Sequence, residues 1–222
     1  MMYHALPIRW TSFRGAKATD VLNGLVTNDV ATLAVGGAQL AAALSPKGKL
    51  VCDMYIVRLA DDVLLTGVLE SAADAWFALV RKYVNPRLCT VTDESSAYRT
   101  LVVFGEQAGR IMPQLRDEVS RGDLTLDLIA APLVSSPLPG VAAASLLLVH
   151  AHGEGRLLAR LADHGVAAGT ADGWQTARVE AGLPLFGVDM DENTIPQEAN
   201  LDALGAISFT KGCYTGQETV AR

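Results

Sequence analysis

With half of its 222 residues apolar and 19% charged, this chain has the composition of a soluble globular protein with a sizeable core. Its formal net charge of −6 at pH 7 argues against broad, non-specific nucleic-acid binding, so we expect no direct nucleic-acid partner. No apolar stretch approaches the ~20 residues that span a bilayer, and no signal peptide is visible at the N-terminus, so we expect no membrane partner.

The cysteines bear on the compartment in which the protein works. Cys52, Cys89 and Cys213 are odd in number, widely spaced and free of any C-x-x-C pair. This usage indicates a reducing compartment and no zinc site built from cysteines. We therefore expect a cytoplasmic protein.

The first part of the chain alternates between the periodicities of strands and helices. Strands are predicted at 8–13, 38–44, 49–59 and 62–68, and helices at 16–26 and 70–83. Ser, Pro, Lys and Gly at 45–48 predict the turn between the second and third strands. The second helix ends where Asn85 precedes Pro86, because a residue before proline disfavours the helical region.

The later part continues the pattern with one weak stretch. Strands are predicted at 88–92, 98–104 and 146–149, and helices at 106–115, 155–164 and from 172 to 182. Residues 116–140 contain three prolines and a Ser-Ser pair and predict a surface connection. The repeated order strand-strand-helix over 49–115 indicates an α+β fold with helices on one face of an antiparallel sheet.

The most informative stretch is K-G-C-Y-T-G-Q-E at residues 211–218. Thr215 and Glu218 have the spacing of a capping box, which predicts a helix start just after Cys213. The positive end of that helix and the cation of Lys211 would favour a thiolate at Cys213. The alternative is that Cys213 is a small apolar filler, because free cysteine is among the most buried residue types.

Two earlier polar positions carry alternative interpretations. Asn28 and Asp29 follow the first predicted helix and are typical of a turn, since both tolerate tight local conformations. Asp53 lies on a predicted strand among apolar neighbours, on the face that also carries Tyr55. A buried carboxylate there would need a partner or a raised pKa, whereas an Asp at a sheet edge would lie in solvent.

The octet at residues 211–218 resembles the signature K-G-C-Y-x-G-Q-E of the YgfZ-type folate-binding proteins. These are relatives of the T-protein (aminomethyltransferase) of the glycine cleavage system. Three further stretches are similar to the same family: L-V-T-N-D-V at 25–30, R-V-E-A-G-L-P-L-F-G-V-D at 178–189 and I-P-Q-E-A-N-L at 195–201. The resemblance runs from about residue 8 to the end and is densest at 20–30 and 174–222.

The resemblance implies an α+β fold of two interleaved lobes of antiparallel sheet with helices packed on one face. Residues 1–45 and 170–222 would form the first lobe and residues 46–169 the second. Family members normally carry a further C-terminal barrel domain after the octet. A helix begun at Thr215 would have only about two turns before Arg222, which is marginal for an isolated helix, so we expect part of a longer gene product.

The resemblance also implies a function. A reduced folate, tetrahydrofolate, would occupy a central channel, and the protein would assist the assembly or repair of iron–sulfur clusters in client enzymes. Cys213 would be the reactive group, assisted by Lys211. The residues that would bind the folate are Asn28, Asp29, Asp53, Arg178, Glu180, Tyr214 and Gln217. The expected partners are the folate and iron–sulfur enzymes, and the expected protein is a monomer.

Glu180 has the most specific expected role among these residues. In the resemblance it accepts hydrogen bonds from the pterin ring, and a carboxylate suits paired N–H donors in a charge-assisted bidentate contact. Cys213 could supply only one of the ligands of an iron–sulfur cluster. Such clusters need about four ligands, so one cysteine cannot hold a cluster unaided. A partner protein, a second copy or glutathione would supply the others.

Two alternative functions stay open. The first is a folate-dependent, aminomethyltransferase-like enzyme that uses Asp53 and Glu180. The T-protein has the stretch G-G-x-x-D-D-x-x-V, and Cys52 stands where that stretch has its first Asp. Only half of the acidic pair remains, which weakens the enzyme alternative. The second is a module that only holds or senses folate, with Cys213 in a structural role.

Overall fold

A computed structural model of the chain describes residues 1–121, 128–134 and 144–220. The chain divides into two compact units, which we call unit 1 (Met1–Pro7 with Ser95–Leu183) and unit 2 (Ile8–Glu94 with Pro184–Arg222). Each unit contains a five-stranded sheet with helices, which confirms the predicted α+β class.

The described elements follow one another along the chain in an order that the sequence largely predicts. They are β1 Met2–Ala5, β2 Ile8–Arg14, α1 Ala18–Asn23, β3 Ala38–Leu44, β4 Leu50–Ala60, β5 Val63–Leu69, α2 Ala73–Tyr83, β6 Thr90–Asp93, β7 Tyr98–Phe104, α3 Ala108–Arg121, β8 Leu128–Val134, β9 Ala144–His150, α4 Glu154–Asp163, β10 Ala167–Ala168, α5 Ala171–Glu180 and α6 Gln217–Val220. Short 3-10 turns at Glu70–Ala72, Ala151–Gly153 and Pro196–Ala199 complete the set.

The sheet of unit 2 has the strand order β3-β4-β5-β2-β6, with every neighbouring pair antiparallel. One face packs against α1 and α2 through a buried cluster that includes Phe13, Leu22, Met54 and Trp76. The Trp76 ring lies 6.0 Å from that of Phe13, and its Nε1 donates a hydrogen bond to Thr66 Oγ1 at 3.1 Å. Trp76 is therefore a core residue, as its helical spacing predicts.

The opposite face of β3 and the start of β4 pack against the C-terminal segment. Leu44 and Leu50 share a buried cluster with Leu201, Ile207 and Tyr214. Residues 184–220 are mostly loops and turns, so this apolar contact attaches them to the sheet.

The sheet of unit 1 has the order β10-β1-β7-β9-β8. Only the two-residue pair of β1 with β10 is parallel among the described strands. Helices α3 and α4 cover one face through a cluster that includes Leu101, Ile111, Leu147, Leu157 and Leu161. Every second residue of the apolar runs in these strands, Leu101 and Val103 in β7 and Leu147 and Val149 in β9, points to this face.

The structure differs from the sequence-based prediction over residues 106–140. Helix α3 continues to Arg121, and β8 occupies part of the predicted surface connection. The apolar pattern of the helix is interrupted in the sequence, because its buried face continues with a charged residue, Glu118. This carboxylate pairs with Arg160 of α4 and with His164, the residue after α4. The rest of the predicted connection, at 122–127 and 135–140, lies outside the described residues.

The boundaries of the two units also fall at positions other than those of the two predicted lobes, 1–45 with 170–222 and 46–169. β4 and β5 pair with β3 and β2 inside unit 2, so residues 46–94 belong with the N-terminal strands. Both divisions make the units discontinuous in sequence. Within the described ranges, every helix is too short or too polar to cross a bilayer.

Candidate functional site

The octet and its approach, residues 205–218, run beside the loop that follows α1. The Thr27 hydroxyl donates to Ala206 O at 2.7 Å, and the Ser208 amide donates to Thr27 O at 3.0 Å. Further along, the Thr215 amide donates to Gly24 O at 3.2 Å. These contacts join the octet to the L-V-T-N-D-V stretch, which is about 180 residues away in sequence.

Lys211 is buried at the centre of this contact. Its Nζ donates to the carbonyl oxygens of Asn23 at 2.7 Å, Val26 at 2.8 Å and Asn28 at 2.7 Å. Burial lowers the pKa of the ammonium to about 8, and the nearby charge of Asp29 opposes that shift. Lys211 is therefore a cation at neutral pH, and all three of its N–H groups are used by the protein.

Cys213 is exposed, two residues after this buried lysine. Cys52 and Cys89 are buried, and desolvation raises the pKa of both thiols. Cys213 is thus the accessible cysteine of the chain, and the interpretation of Cys213 as an apolar filler does not hold. Its role as a reactive thiolate stays a prediction.

The helix after Cys213 begins later than the sequence predicts. α6 starts at Gln217, after a turn in which Gly216 has a φ of +83°. Thr215 and Glu218 exchange no capping-box hydrogen bond in the described part of the chain; instead, the Gln217 side-chain oxygen accepts from the Tyr214 amide at 3.3 Å. The Tyr214 ring is buried in the cluster of Leu44, Leu50 and Leu201, with Lys211 Nζ 5.1 Å from its centre.

Glycines hold the end of the octet against the β3–β4 turn. A Cβ added to Gly216 would lie 2.5 Å from Ser45 O and 2.9 Å from Leu44 Cβ. A Cβ added to Gly48 would collide with the side chain of Thr219, whose hydroxyl donates to Lys47 O at 3.1 Å. The two backbones therefore meet directly, and only glycine fits at the contact.

Asn28 and Asp29 make the turn that their residue types predict. Asn28 Nδ2 donates to Leu40 O at 2.6 Å and Gly205 O at 2.8 Å, and its Oδ1 accepts from the Asp29 amide at 2.9 Å. Asp29 Oδ1 accepts from the Ala31 amide at 3.0 Å. The Asn28 amide is thus fully engaged, whereas Asp29 Oδ2 has no hydrogen-bond partner within the described ranges.

Asp53 lies on β4, an interior strand that pairs with β3 at this position and with β5 from Tyr55 onward. It pairs across the ladder with Ala42, whose amide donates a hydrogen bond to Thr27 Oγ1 at 2.8 Å. Asp53 is therefore one strand away from the loop that carries Asn28 and Asp29. The alternative of a solvent-exposed carboxylate at a sheet edge is excluded.

Asp53 is half-buried as a residue, but the surroundings of its carboxylate disfavour the charged form. Its Oδ1 is buried and has no hydrogen-bond partner among the residues that the structure describes. Desolvation raises the pKa of Asp53 to about 6. Tyr55 lies on the same face of β4, and desolvation, together with the charge of Asp53, raises its pKa as well.

Arg178 and Glu180 belong to unit 1, at the end of α5. Arg178 is buried; its guanidinium donates to Gln175 Oε1 and, at 3.1 Å, to Leu183 O, which ties the helix to the turn that follows it. Glu180 is exposed at the last helical position and makes no hydrogen bond or ion pair within the described ranges. Arg178 thus supports the fold locally, whereas the Glu180 carboxylate is available.

Sequence reasoning missed Thr27 and the roles of the glycines. The buried Thr27 hydroxyl donates to Ala206 O and accepts from the Ala42 amide, so it joins the octet's approach to β3. The signal was its position directly before Asn28 in L-V-T-N-D-V. Nothing local marks Gly48 as the partner of Thr219, because the two are far apart in sequence.

Residues 7–127 match the family described as the GCVT N-terminal domain. The chain is 33% identical over 220 residues to the "tRNA-modifying protein YgfZ" of Enterobacter sp. (strain 638), covering 94% of this chain and 63% of that protein. It is 29% identical over 216 residues to the protein of the same name from Yersinia enterocolitica, covering 94% and 62%.

Among solved structures, the chain is similar to the glycine cleavage system aminomethyltransferase T from Bartonella henselae. The TM-score is 0.68 at 22% identity, covering 87% of this chain and 54% of that one. This likeness concerns the fold. The chain spans about 63% of the length of the curated relatives.

Proposed function

Because this chain belongs to the family of the GCVT N-terminal domain, we propose that it binds tetrahydrofolate and serves as an accessory protein for iron–sulfur clusters in client enzymes. The similarity to the YgfZ proteins supports this proposal. The single observation that carries the folate part is the buried, unpartnered oxygen of Asp53. Client enzymes and the cysteine chemistry follow from the resemblance of the octet.

Asp53 fits a ligand that presents N–H groups. A buried acceptor without a partner is destabilising, so native proteins satisfy nearly all such atoms, and exceptions occur where a ligand supplies the bond. A reduced pterin carries several N–H donors and no negative charge on its ring. Its donors would satisfy Asp53 Oδ1, and the residues present therefore fit the folate.

Glu180 supports the same class of ligand through an independent argument in unit 1. A carboxylate at the last position of α5 faces the negative end of the helix dipole, which is an unfavourable place for an anion. Paired N–H donors of an aminopterin edge would offset that cost by a charge-assisted bidentate contact. The resemblance gives Glu180 this contact.

The remaining predicted residues differ in what they offer to a ligand. Asp29 keeps one carboxylate oxygen available, and we assign it a direct contact with the folate. Asn28, Arg178 and Gln217 use their side chains on the protein's own groups, so their proposed role is to shape the site. Tyr214 contributes through its buried ring, whose hydroxyl has a pKa raised by desolvation.

Cys213 is the proposed reactive group of the accessory function. Its exposure would let a client's cluster or thiol approach, with Cys213 as a transient ligand or redox partner. The client or a small thiol supplies the other ligands, since a cluster needs about four. When bound, a reduced folate supplies a carrier for one-carbon units.

The name of the two relatives extends the proposal to tRNA modification. We assign this chain the same process through client enzymes rather than through contact with RNA. The formal net charge of −6 favours the indirect role, because RNA binding depends on a basic surface.

Calorimetric titration with tetrahydrofolate tests the folate proposal. Wild-type protein should bind, and Asp53→Ala and Glu180→Ala should each weaken the affinity by about 10-fold or more, the cost of a lost charged hydrogen bond. Glu106→Ala is the matched control, since Glu106 is an exposed acid of unit 1 outside every predicted site. Wild-type affinity in both Asp53→Ala and Glu180→Ala would refute the placement of the ligand.

A further inference from the structure

Lys211 fills a cation site that the protein's own backbone builds. We propose that the carbonyl oxygens of Asn23, Val26 and Asn28 form a site for a monovalent cation of the ammonium class. In this proposal, Lys211 is the positioning residue whose side chain occupies that site and thereby fixes the segment that presents Cys213. The inference rests on contacts within unit 2 and is independent of folate binding.

The geometry is that of a coordination site rather than of a chance contact. Three carbonyl oxygens converge on one nitrogen at 2.7, 2.8 and 2.7 Å, the range of charge-assisted hydrogen bonds. An ammonium has three donors and no acceptor, so its hydrogen-bonding capacity is completely used. A neutral side chain of the same length would leave one buried and two partly buried acceptors without this donor.

The chain makes these carbonyls available for a local reason. Asn23 is the last residue of α1, and the carbonyls of a final helical turn have no partner inside the helix. Val26 and Asn28 follow in the turn, where Asn23 Oδ1 accepts from the Val30 amide at 2.9 Å and so closes the loop around the site. The converging oxygens are therefore a property of this loop.

The charge around the site suits a single positive charge. Neutral carbonyls are the groups with which proteins replace the hydration shell of monovalent cations. Asp29 adds one nearby negative charge without contacting Nζ, and the Tyr214 ring adds a cation–π contact at 5.1 Å. A divalent ion would require several carboxylate ligands instead.

The consequence concerns Cys213, which lies between two anchors. On one side is the buried ammonium of Lys211, and on the other are the Thr215 amide bonded to Gly24 O and the close contact of Gly216 with the β3–β4 turn. The exposed thiol thus stands on a backbone that is held at both ends. Removing the cation loosens the α1 loop, to which the Thr215 amide also bonds, and leaves the contact of Gly216 with the β3–β4 turn in place.

Hydrogen exchange of the Lys211→Ala variant tests the proposal. The amides of Ser208 and Thr215, which bond the α1 loop, should exchange at least about 10-fold faster than in wild type, while those of β4 and β5 remain unchanged. Adding n-propylammonium, which replaces the deleted part of the side chain, should restore the protection. Tetramethylammonium, which has a positive charge but no N–H donor, should not restore the protection. The Lys82→Ala variant, in which an exposed lysine is lost, is the control and should exchange as wild type does.

Each result decides the proposal. Wild-type exchange at Ser208 and Thr215 in Lys211→Ala, or equal protection by the two cations, would overturn it. The Lys211→Met variant keeps an apolar side chain without N–H donors, so its Ser208 and Thr215 amides should lose protection as they do in Lys211→Ala. Wild-type protection of these amides in Lys211→Met would also overturn the proposal. If neither variant folds, recovery of Lys211→Ala on refolding with n-propylammonium alone supports the proposal, and no recovery contradicts it.

Discussion

Two charged residues of unit 2, Asp53 and Lys211, differ in whether the protein satisfies them. Lys211 gives each of its N–H groups to a carbonyl, whereas Asp53 Oδ1 is buried without a hydrogen bond in the described part of the chain. A buried polar group is normally hydrogen-bonded, so an unsatisfied one calls for an explanation. This contrast favours a structural role for Lys211, and the folate contact proposed for Asp53 stays a prediction.

Asp53→Asn should stabilise the ligand-free protein at neutral pH. Burial raises the pKa of Asp53 from 3.8 to about 6, so the folded state binds the proton more tightly than the unfolded state does. The free energy of unfolding of wild type therefore falls as pH rises from about 4 to 6. At pH 7.5 the variant should be more stable by roughly 1–3 kcal/mol, as measured by urea unfolding.

The sign of this effect provides its own control. Below pH 4 Asp53 is protonated in both states, so wild type and Asp53→Asn should converge in stability. A gain of the same size at pH 3.5 and 7.5 would contradict the role of the buried charge.

Cys213→Ala should separate folding from function. The side chain is exposed, so the free energy of unfolding should change by no more than about 0.5 kcal/mol. In cells that lack the natural protein, the variant should fail to restore the activity of iron–sulfur enzymes. Thr210→Ala, an exposed neighbour, should restore it fully. Normal complementation by Cys213→Ala would remove the cysteine from the mechanism.

The C-terminal end of the octet is held by a contact between two turns. The turn before α6 packs against the turn between β3 and β4. Gly216 and Gly48 both have positive φ angles, and each faces backbone or side-chain atoms of the other segment. Four residues of α6 cannot be stable alone, since isolated helices need about 12–15 residues in water. The contact, rather than helix propensity, holds this end of the octet.

Gly216→Ala should destabilise the protein by about 2–4 kcal/mol, because the new Cβ meets Ser45 O and the backbone is strained at a φ of +83°. Urea unfolding measures the loss. Gly205→Ala is the matched control: its φ is +69°, but nothing lies within 4 Å of its Cβ, so only about 1 kcal/mol should be lost. Equal losses in the two variants would show that close packing at Gly216 has no effect.

Across the whole molecule, the two discontinuous units share one plan of a sheet with helices on a face. The likeness in fold to an aminomethyltransferase does not carry the enzyme's activity with it. Cys52 packs into the cluster of Met54 and Ile56, on the face of β4 opposite to that of Asp53. The acidic pair of the T-protein stretch is therefore reduced to Asp53.

The enzyme alternative predicts sustained aminomethyl transfer from a lipoyl carrier in the presence of tetrahydrofolate. We expect no sustained transfer, because Cys52 stands in place of the first Asp of the T-protein's acidic pair and only Asp53 of that pair remains. A direct assay of product formation measures this, with a glycine cleavage aminomethyltransferase as the positive control. Multiple turnovers by this chain would favour the enzyme over the accessory protein.

Tetrahydrofolate should also raise the thermal midpoint of the chain. At a ligand concentration of 100 times the Kd, binding stabilises the folded state by about 2.7 kcal/mol, which corresponds to roughly 5–10 °C for a chain of this size. Calorimetric scans with and without the ligand measure the shift. An unchanged midpoint at saturating tetrahydrofolate would leave the chain without its proposed ligand.

The sequence by itself determined the α+β class and most strands and helices, and it singled out residues 211–218 as a candidate site. It succeeded where the signal is local: the period of α2 and the turn residues at 45–48 and 28–29 depend on near neighbours. It missed the end of α3 because Glu118, a charged residue on a buried face, interrupts the apolar pattern, and it missed β8 because Pro132 inside that strand is typical of a loop.

Only the tertiary structure decided which polar atoms are satisfied. Lys211 Nζ bonds to a carbonyl 188 positions earlier, and Asp53 Oδ1 is buried without a hydrogen-bond partner among the described residues. Neither fact is written in the neighbouring residues, since hydrogen-bond partners from distant segments are chosen by how the chain packs. The residue types of the candidate site are therefore a property of the sequence, and which of their polar atoms the protein satisfies is a property of the fold.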